Sequence, residues 1–302
     1  MNMGSETIWS FGYGSNMDVK ALEARKKVQV LEHTSAILKD FKMEFNLSGM
    51  HHVEPAFSGL AESPGSQVHG VAFKMTLESA ENLTQCELSG VKPLYDKKMV
   101  ILHSYTGREL EGFIFMNKSP PSLNLVPSSR YLGLLVKGAQ QAGLDANYIE
   151  KLSKQPTYKP NDAVLKARKE RSEKVEELDE ITVEQLSKNE NWVSCLGYVF
   201  EHEKVSFRSL GPNTRILIVR GRDITIRTLL HFHGIDLDDD KGCPPYPLLK
   251  DLQGTELDYI TCWLDHYALD TNDSPRPIIG YLKEFKEQQN SNSTTFVLPP
   301  IP

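Results

Sequence analysis

The chain of 302 residues carries 34 Lys and Arg against 40 Asp and Glu, for a net charge of −6, and 39% of its residues are hydrophobic. That is enough apolar material for a packed core in one large or two smaller domains, while an acidic balance without clustered Lys and Arg excludes nucleic acid and an anionic membrane as expected partners. No run of about 18 apolar residues occurs, residues 1–6 are not a basic lead into an apolar signal core, and Cys86, Cys195, Cys243 and Cys262 are too scattered for a disulfide scaffold or a Cys-x-x-Cys zinc site. A cytoplasmic protein with reduced thiols is expected.

Thr7-Ile8-Trp9-Ser10-Phe11 reads as a strand, and Val19, Leu22 and Ala24 suggest a helix that Asn16 or Asp18 can cap. Between them Phe11-Gly12-Tyr13-Gly14-Ser15-Asn16-Met17 forms a loop of small residues. Gly12 and Gly14 carry no Cβ to hold a ligand away, and the N–H groups of a helix start favour an anion. A dinucleotide fingerprint fails here. Met17 stands where a third Gly is needed, and the interval from Asp18 to Lys27 is short for a crossover helix.

Apolar runs at Ala36–Leu38, Phe41–Phe45, Val68–Phe73 and Gly112–Met116, broken by turn signals, predict a mostly antiparallel sheet or barrel. Leu77, Ala80 and Leu83 mark the packed face of a helix over Leu77 to Glu87. After Pro120-Pro121 an amphipathic helix runs from about Tyr131 to Ala139 with Gly143 as its stop, and a second runs from Asp145 to about Lys154. Residues 161–190 are dominated by charge and read as a solvated helical linker.

A second globular segment begins near Asn191, with strands expected at Leu196–Phe200 and Arg215–Val219. Asp223 is placed to cap a helix over Ile224 to Phe232, and Thr255 and Asp258 have capping-box spacing ahead of Tyr259 to Leu269. The tail from Gln288 onward is polar and Pro-rich. His51-His52 and His231-Phe232-His233 invite a metal, but no third ligand sits at a recognisable spacing, so neither is taken as a site. Asp238-Asp239-Asp240 lacks the distributed oxygens of a calcium loop and reads as a solvated turn.

The order of several segments resembles the γ-glutamylcyclotransferase family over roughly residues 7 to 155. Tyr13-Gly14-Ser15-Asn16 follows the first strand, Ser63-Pro64-Gly65 forms a turn before Gly70-Val71, and Pro127-Ser128-Ser129-Arg130-Tyr131, Gly138-Ala139, Gly143-Leu144 and Tyr148 with Leu152 complete the pattern. The resemblance implies an α+β fold, a mixed and mostly antiparallel β-barrel with flanking helices, to which the patterning after residue 190 adds a second, smaller α+β segment. Taken with the charge and patterning above, it divides the chain into a catalytic domain over 1–160, the charged linker over 161–190, an accessory domain over 191–287 and a flexible tail over 288–302.

The activity it implies is a lyase reaction, in which a γ-glutamyl amino acid closes to 5-oxoproline and releases a free amino acid. Glu87 falls on the family's general acid/base, in a setting of Leu83, Cys86 and Leu88 that favours partial burial. The substrate contacts fall on Ser10, Phe11, Gly12, Tyr13, Gly14, Ser15, Asn16 and Tyr131. N–H groups from Phe11 to Ser15 would hold the carboxylate or the developing oxyanion. The resemblance implies no metal and no organic cofactor, and it allows a homodimer. One departure stands out: family members have Gly directly after the Glu, whereas Leu88 and Ser89 precede Gly90 here. Matched without a gap, Ser89 takes the place of the base. Two alternatives stay open, a cyclotransferase for γ-glutamyl amines or peptides and a catalytically inactive binding module.

Overall fold

The computed structural model describes residues 6–26, 28–88, 95–117, 125–201, 221–235, 245–291 and 296. These divide into two compact units, one holding residues up to Gly49 and Glu54–Tyr158, the other Met50–Val53 and the described residues from Lys159 onward.

The first unit runs β1 (Thr7–Gly12), α1 (Val19–Lys26), β2 (Val30–Met50), β3 (Glu54–Thr76), α2 (Leu77–Leu88), β4 (Tyr95–Ser104), β5 (Glu109–Asn117), α3 (Ser129–Gln141) and α4 (Ala146–Ser153). Its strands form a closed barrel in the order β1-β3-β2-β4-β5. β1 pairs antiparallel with β3 and parallel with β5, and that parallel pairing shuts the barrel. The mostly antiparallel barrel expected from the sequence is present.

Alternation sorts the strand side chains between two cores. Trp9, Phe11, Ala36, Leu38, Leu60, Ala72, Leu102, Leu110 and Ile114 come from all five strands and fill the interior. Their out-of-phase neighbours Val71, Phe73, Met75, Phe113 and Phe115 face outward and pack with Leu22, Leu83, Leu132 and Leu135 of the helices. A one-residue slip of β1 would turn Trp9 and Phe11 out of the barrel interior.

Several local expectations change. Ala36–Leu38 and Phe41–Phe45 belong to one strand, with Asp40 at φ 64° between them. Ser63-Pro64-Gly65 lies inside β3 and is not a turn between strands. Gly65 takes φ 78° there, and its N–H donates to Asp40 Oδ1 at 2.9 Å. Leu77, expected on the packed face of α2, is 46% exposed, whereas Ala80 and Leu83 are buried.

The second unit contains α5 (Asp162–Glu173), β6 (Glu180–Ile181), α6 (Val183–Ser187), β7 (Trp192–Cys195), β8 (Tyr198–Glu201), β9 (Arg222–Asp223), α7 (Thr225–Phe232), α8 (Gly254–Ala268), β10 (Ile278–Leu282) and α9 (Lys283–Asn290). Its sheet has the order β6-β10-β8-β7-β9. The stretch expected as a solvated linker is part of this unit's core: Val164, Ala167, Ile181 and Leu186 are all buried in it. Val164, Ala167 and Arg171 follow helical spacing, and the third member of that stripe is a buried Arg held by Asp265 at 2.9 Å. A charge count therefore hid an amphipathic helix.

The cap of α8 also moves. Glu256 accepts from the Gln253 N–H at 2.7 Å, in place of the Thr255–Asp258 pair. α9 extends through Asn290, so the first residues of the expected tail are helical. The expected strand at Arg215–Val219, the turn at Asp238–Asp240, Cys243 and the stretch from Ser89 to Leu94 lie outside the described residues.

Candidate functional site

The loop after β1 is folded against its own neighbours. Its strand end is fixed by register, Phe11 opposite Ala72 and Gly12 opposite Val71. Past Gly12 the chain turns, with the Gly14 carbonyl accepting from the Met17 N–H at 3.2 Å. Asn16 does not cap α1, because its Oδ1 faces back to the Gly14 N–H at 3.3 Å. A Cβ on Gly12 would meet Phe73 Cε2 at 2.8 Å and the Asn16 carbonyl oxygen at 2.9 Å, and one on Gly14 would meet Ser58 Oγ at 2.7 Å. Both glycines are needed so that the protein can close on this loop.

Tyr131, at the start of α3, fastens the loop to the barrel. Its hydroxyl lies 2.9 Å from Ser58 Oγ and accepts from the Ser58 N–H at 3.3 Å. The Ser15 side chain also hydrogen-bonds it. Tyr131 is held in turn by its own N–H, which donates to Ser128 Oγ at 2.9 Å. That serine is the N-cap of α3 and hydrogen-bonds Glu54 as well. Arg130 Nη1 donates to Glu54 Oε1 at 2.9 Å. The Pro-Ser-x-x-Tyr stretch thus has a mechanical basis: Ser128 caps the helix and Arg130 neutralises a buried Glu, which together orient Tyr131. Burial raises the Glu54 carboxyl above its ordinary range, and the bonds from Ser128 and Arg130 oppose that rise.

Glu87 sits on the last turn of α2, partly buried, with Lys26 Nζ at 3.2 Å. Burial pushes the Tyr13 hydroxyl well above the usual phenol range, and the nearby Tyr95, Tyr131 and Glu87 push it further. Tyr95, at the start of β4, is raised by burial and then by Glu87 and Tyr131. Burial raises Tyr131 too, against the bonds from Ser58 and Ser15. All three phenols keep their protons at neutral pH. Tyr13 itself donates to the Phe115 carbonyl at 3.3 Å. Three neutral phenols and the Glu87 carboxylate are thus close enough to affect one another's charge.

A family model described as the AIG2-like family matches residues 67–152. The human gamma-glutamylcyclotransferase is 30% identical over 180 residues, which cover 57% of this chain and 88% of the human protein. The chain belongs to the γ-glutamylcyclotransferase family. The bovine gamma-glutamylcyclotransferase is likewise 30% identical over 161 residues, covering 52% of this chain and 81% of the relative. A solved structure described as a gamma-glutamyl cyclotransferase covers 55% of this chain and 99% of its own, at 24% identity and a TM-score of 0.45.

Of the residues that this family resemblance selects, Ser10, Phe11, Gly12, Tyr13 and Gly14 are buried, Asn16 is half-buried and Ser15 is exposed. Ser15 and Tyr131 are joined directly, and Glu87 is near enough to Tyr13 for its charge to be felt there. Sequence reasoning missed Ser58, Lys26, Tyr95 and Glu54. Ser58 is separated from Tyr131 by 73 positions and Glu54 from Arg130 by 76, and no local pattern reports contacts of that range. Among the described residues no helix is long and apolar enough to cross a membrane.

Proposed function

We propose that the first unit converts γ-glutamyl amino acids to 5-oxoproline and a free amino acid. The α-amino nitrogen of the γ-glutamyl group attacks its own γ-carbonyl carbon, one C–N bond forms in a five-membered lactam, and the γ-amide C–N bond breaks. Glu87 accepts a proton from the attacking amine and returns it to the leaving nitrogen. The loop over Ser10–Asn16 and the Tyr131 hydroxyl bind the γ-glutamyl end, and loop N–H groups face the charge that develops on oxygen. The single observation that carries this reading is the likeness to the human gamma-glutamylcyclotransferase, 30% identical over 88% of that protein's length.

One feature favours a second reading, a binding module without turnover: Leu88 and Ser89 separate Glu87 from Gly90. A panel of γ-glutamyl amino acids, amines and peptides offered to the purified chain, with 5-oxoproline measured by chromatography, separates the two. Saturable turnover of at least one compound is expected. Binding of the panel with no 5-oxoproline from any member would overturn the proposed reaction in favour of the binding module.

A further inference from the structure

His51 and His52 occupy the turn that follows β2 and belong, with Asp273, to the second unit. His51 Nε2 lies 3.1 Å from Asp273 Oδ1, and His52 Nε2 lies 3.4 Å from the same oxygen. The ligand atoms of the three residues fall within 4.8 Å of one another. A tetrahedral ion with bonds of about 2.0–2.1 Å separates its ligands by about 3.3 Å along each edge. Both measured edges are close to that spacing.

The surroundings fit a cation as well. Asn161 Nδ2 donates to the other carboxylate oxygen, Asp273 Oδ2, at 2.7 Å, which leaves Oδ1 turned toward the imidazoles; hydrogen-bonded carboxylates of this kind commonly support metal ligands. His52 is buried, and the His51 side chain is 47% exposed. One ligand is thus fixed by packing while the other leaves solvent access for entry and for a water ligand. The backbone is left-handed at both His52 (φ 68°) and Asp273 (φ 62°), a region that His and Asp enter more readily than most residues. Arg168, whose charge acts on His52, is paired with Asp265 at 2.6 Å.

We propose that His51, His52 and Asp273 form a binding site for one first-row divalent cation of the Zn2+ type, with water completing the coordination. Two imidazoles and one carboxylate suit this class better than Mg2+ or Ca2+, which prefer all-oxygen sets. The inference does not depend on the proposed reaction.

The test is calorimetric titration of the chelator-treated full chain with ZnCl2 and, separately, MgCl2. One Zn2+ per chain is expected, with no saturable Mg2+ binding. His51→Ala and Asp273→Asn should each weaken Zn2+ binding by at least about tenfold. Asn tolerates the left-handed backbone at 273, and circular dichroism and the metal-free melting temperature check the fold of both variants. Should Asp273→Asn melt early, the partly exposed His51→Ala carries the comparison, with Zn2+ raising the melting temperature of the parent chain but not of the variant. No saturable Zn2+ binding to the parent, or unchanged affinity in His51→Ala, overturns the site.

Discussion

Lys26 Nζ lies 3.2 Å from Glu87 Oε1, so the last residue of α1 and the last turn of α2 share an ion pair beside the loop that α1 follows. Both side chains are partly exposed, at 29% and 19%, and a pair in that setting contributes no more than about 1 kcal/mol to stability. Lys26→Met should therefore leave the unfolding free energy within about 1 kcal/mol of the parent, while kcat for 5-oxoproline release falls because the carboxylate loses its restraint. Denaturant titration alongside steady-state kinetics checks both parts. An unchanged kcat would reduce the pair to a surface contact.

Gly14 is expected to be intolerant for a definable reason. A Cβ there would lie 2.7 Å from Ser58 Oγ and 3.5 Å from the Tyr131 hydroxyl, and Ser58 Oγ can rotate away only by giving up its bond to that hydroxyl. Gly14→Ala should destabilise the chain by about 1–3 kcal/mol through overpacking and raise KM by displacing Tyr131. Gly14→Ala combined with Ser58→Ala should recover part of the loss, since the clashing oxygen is gone. Urea unfolding of the two single variants and the double variant measures this coupling, and strict additivity would count against the contact.

Asp223 supplies a pH dependence in the second unit. Its carboxyl is fully buried, and burial lifts it from 3.8 to about 6 despite bonds from Ser194 and Thr225. Between these values the native state keeps a proton that the unfolded state has lost. Stability from this group is therefore complete below about pH 4 and is lost as pH rises through about 6. The unfolding free energy of the parent minus that of Asp223→Asn, followed by denaturant across that window, should fall as pH rises. A flat difference would contradict the assignment. Asn at 223 can still accept from the Thr225 N–H, which donates to Oδ1 at 2.9 Å.

Asp265 is fully buried between Arg168 and Arg171, at 2.6 Å and 2.9 Å. Removing it strands the Arg171 guanidinium, which is itself only 6% exposed in its side chain. Asp265→Ala should cost about 3–5 kcal/mol, whereas Arg168→Met should cost less because Arg171 still pairs. Thermal unfolding of both variants gives the comparison, and equal losses would mean that burial of Arg171 is not what makes Asp265 necessary.

Much of this was legible in the sequence, and the remainder had identifiable obstacles. Tyr13-Gly14-Ser15-Asn16 and Ser128 to Tyr131 are contiguous and stood out locally, but the cap expected of Asn16 did not form and Ser128 was not singled out as a cap. The helix expected from Asp145 is present as α4, capped by Asp145, whose Oδ1 accepts from the Tyr148 N–H. Long-range partners could not be read that way. Asp273 reaches His51 across 222 positions, which is why a histidine pair without a nearby ligand looked unremarkable. The charged stretch around α5 misled for another reason: its buried stripe of Val164 and Ala167 continues through Arg171, and only the distant Asp265 explains a buried cation there. Gly12 and Gly14 were read as room for a ligand, yet their missing Cβ atoms first make room for Phe73, Asn16 and Ser58.

The assignment of Glu87 as the proton carrier is tested most directly by Glu87→Gln, which keeps the size of the side chain and removes its basicity. With γ-glutamyl-alanine as substrate, kcat for 5-oxoproline release should fall by about 10²-fold or more, the usual contribution of a positioned acid/base, while the variant melts with the parent. Release of 5-oxoproline at the parent rate from a folded Glu87→Gln would contradict the mechanism.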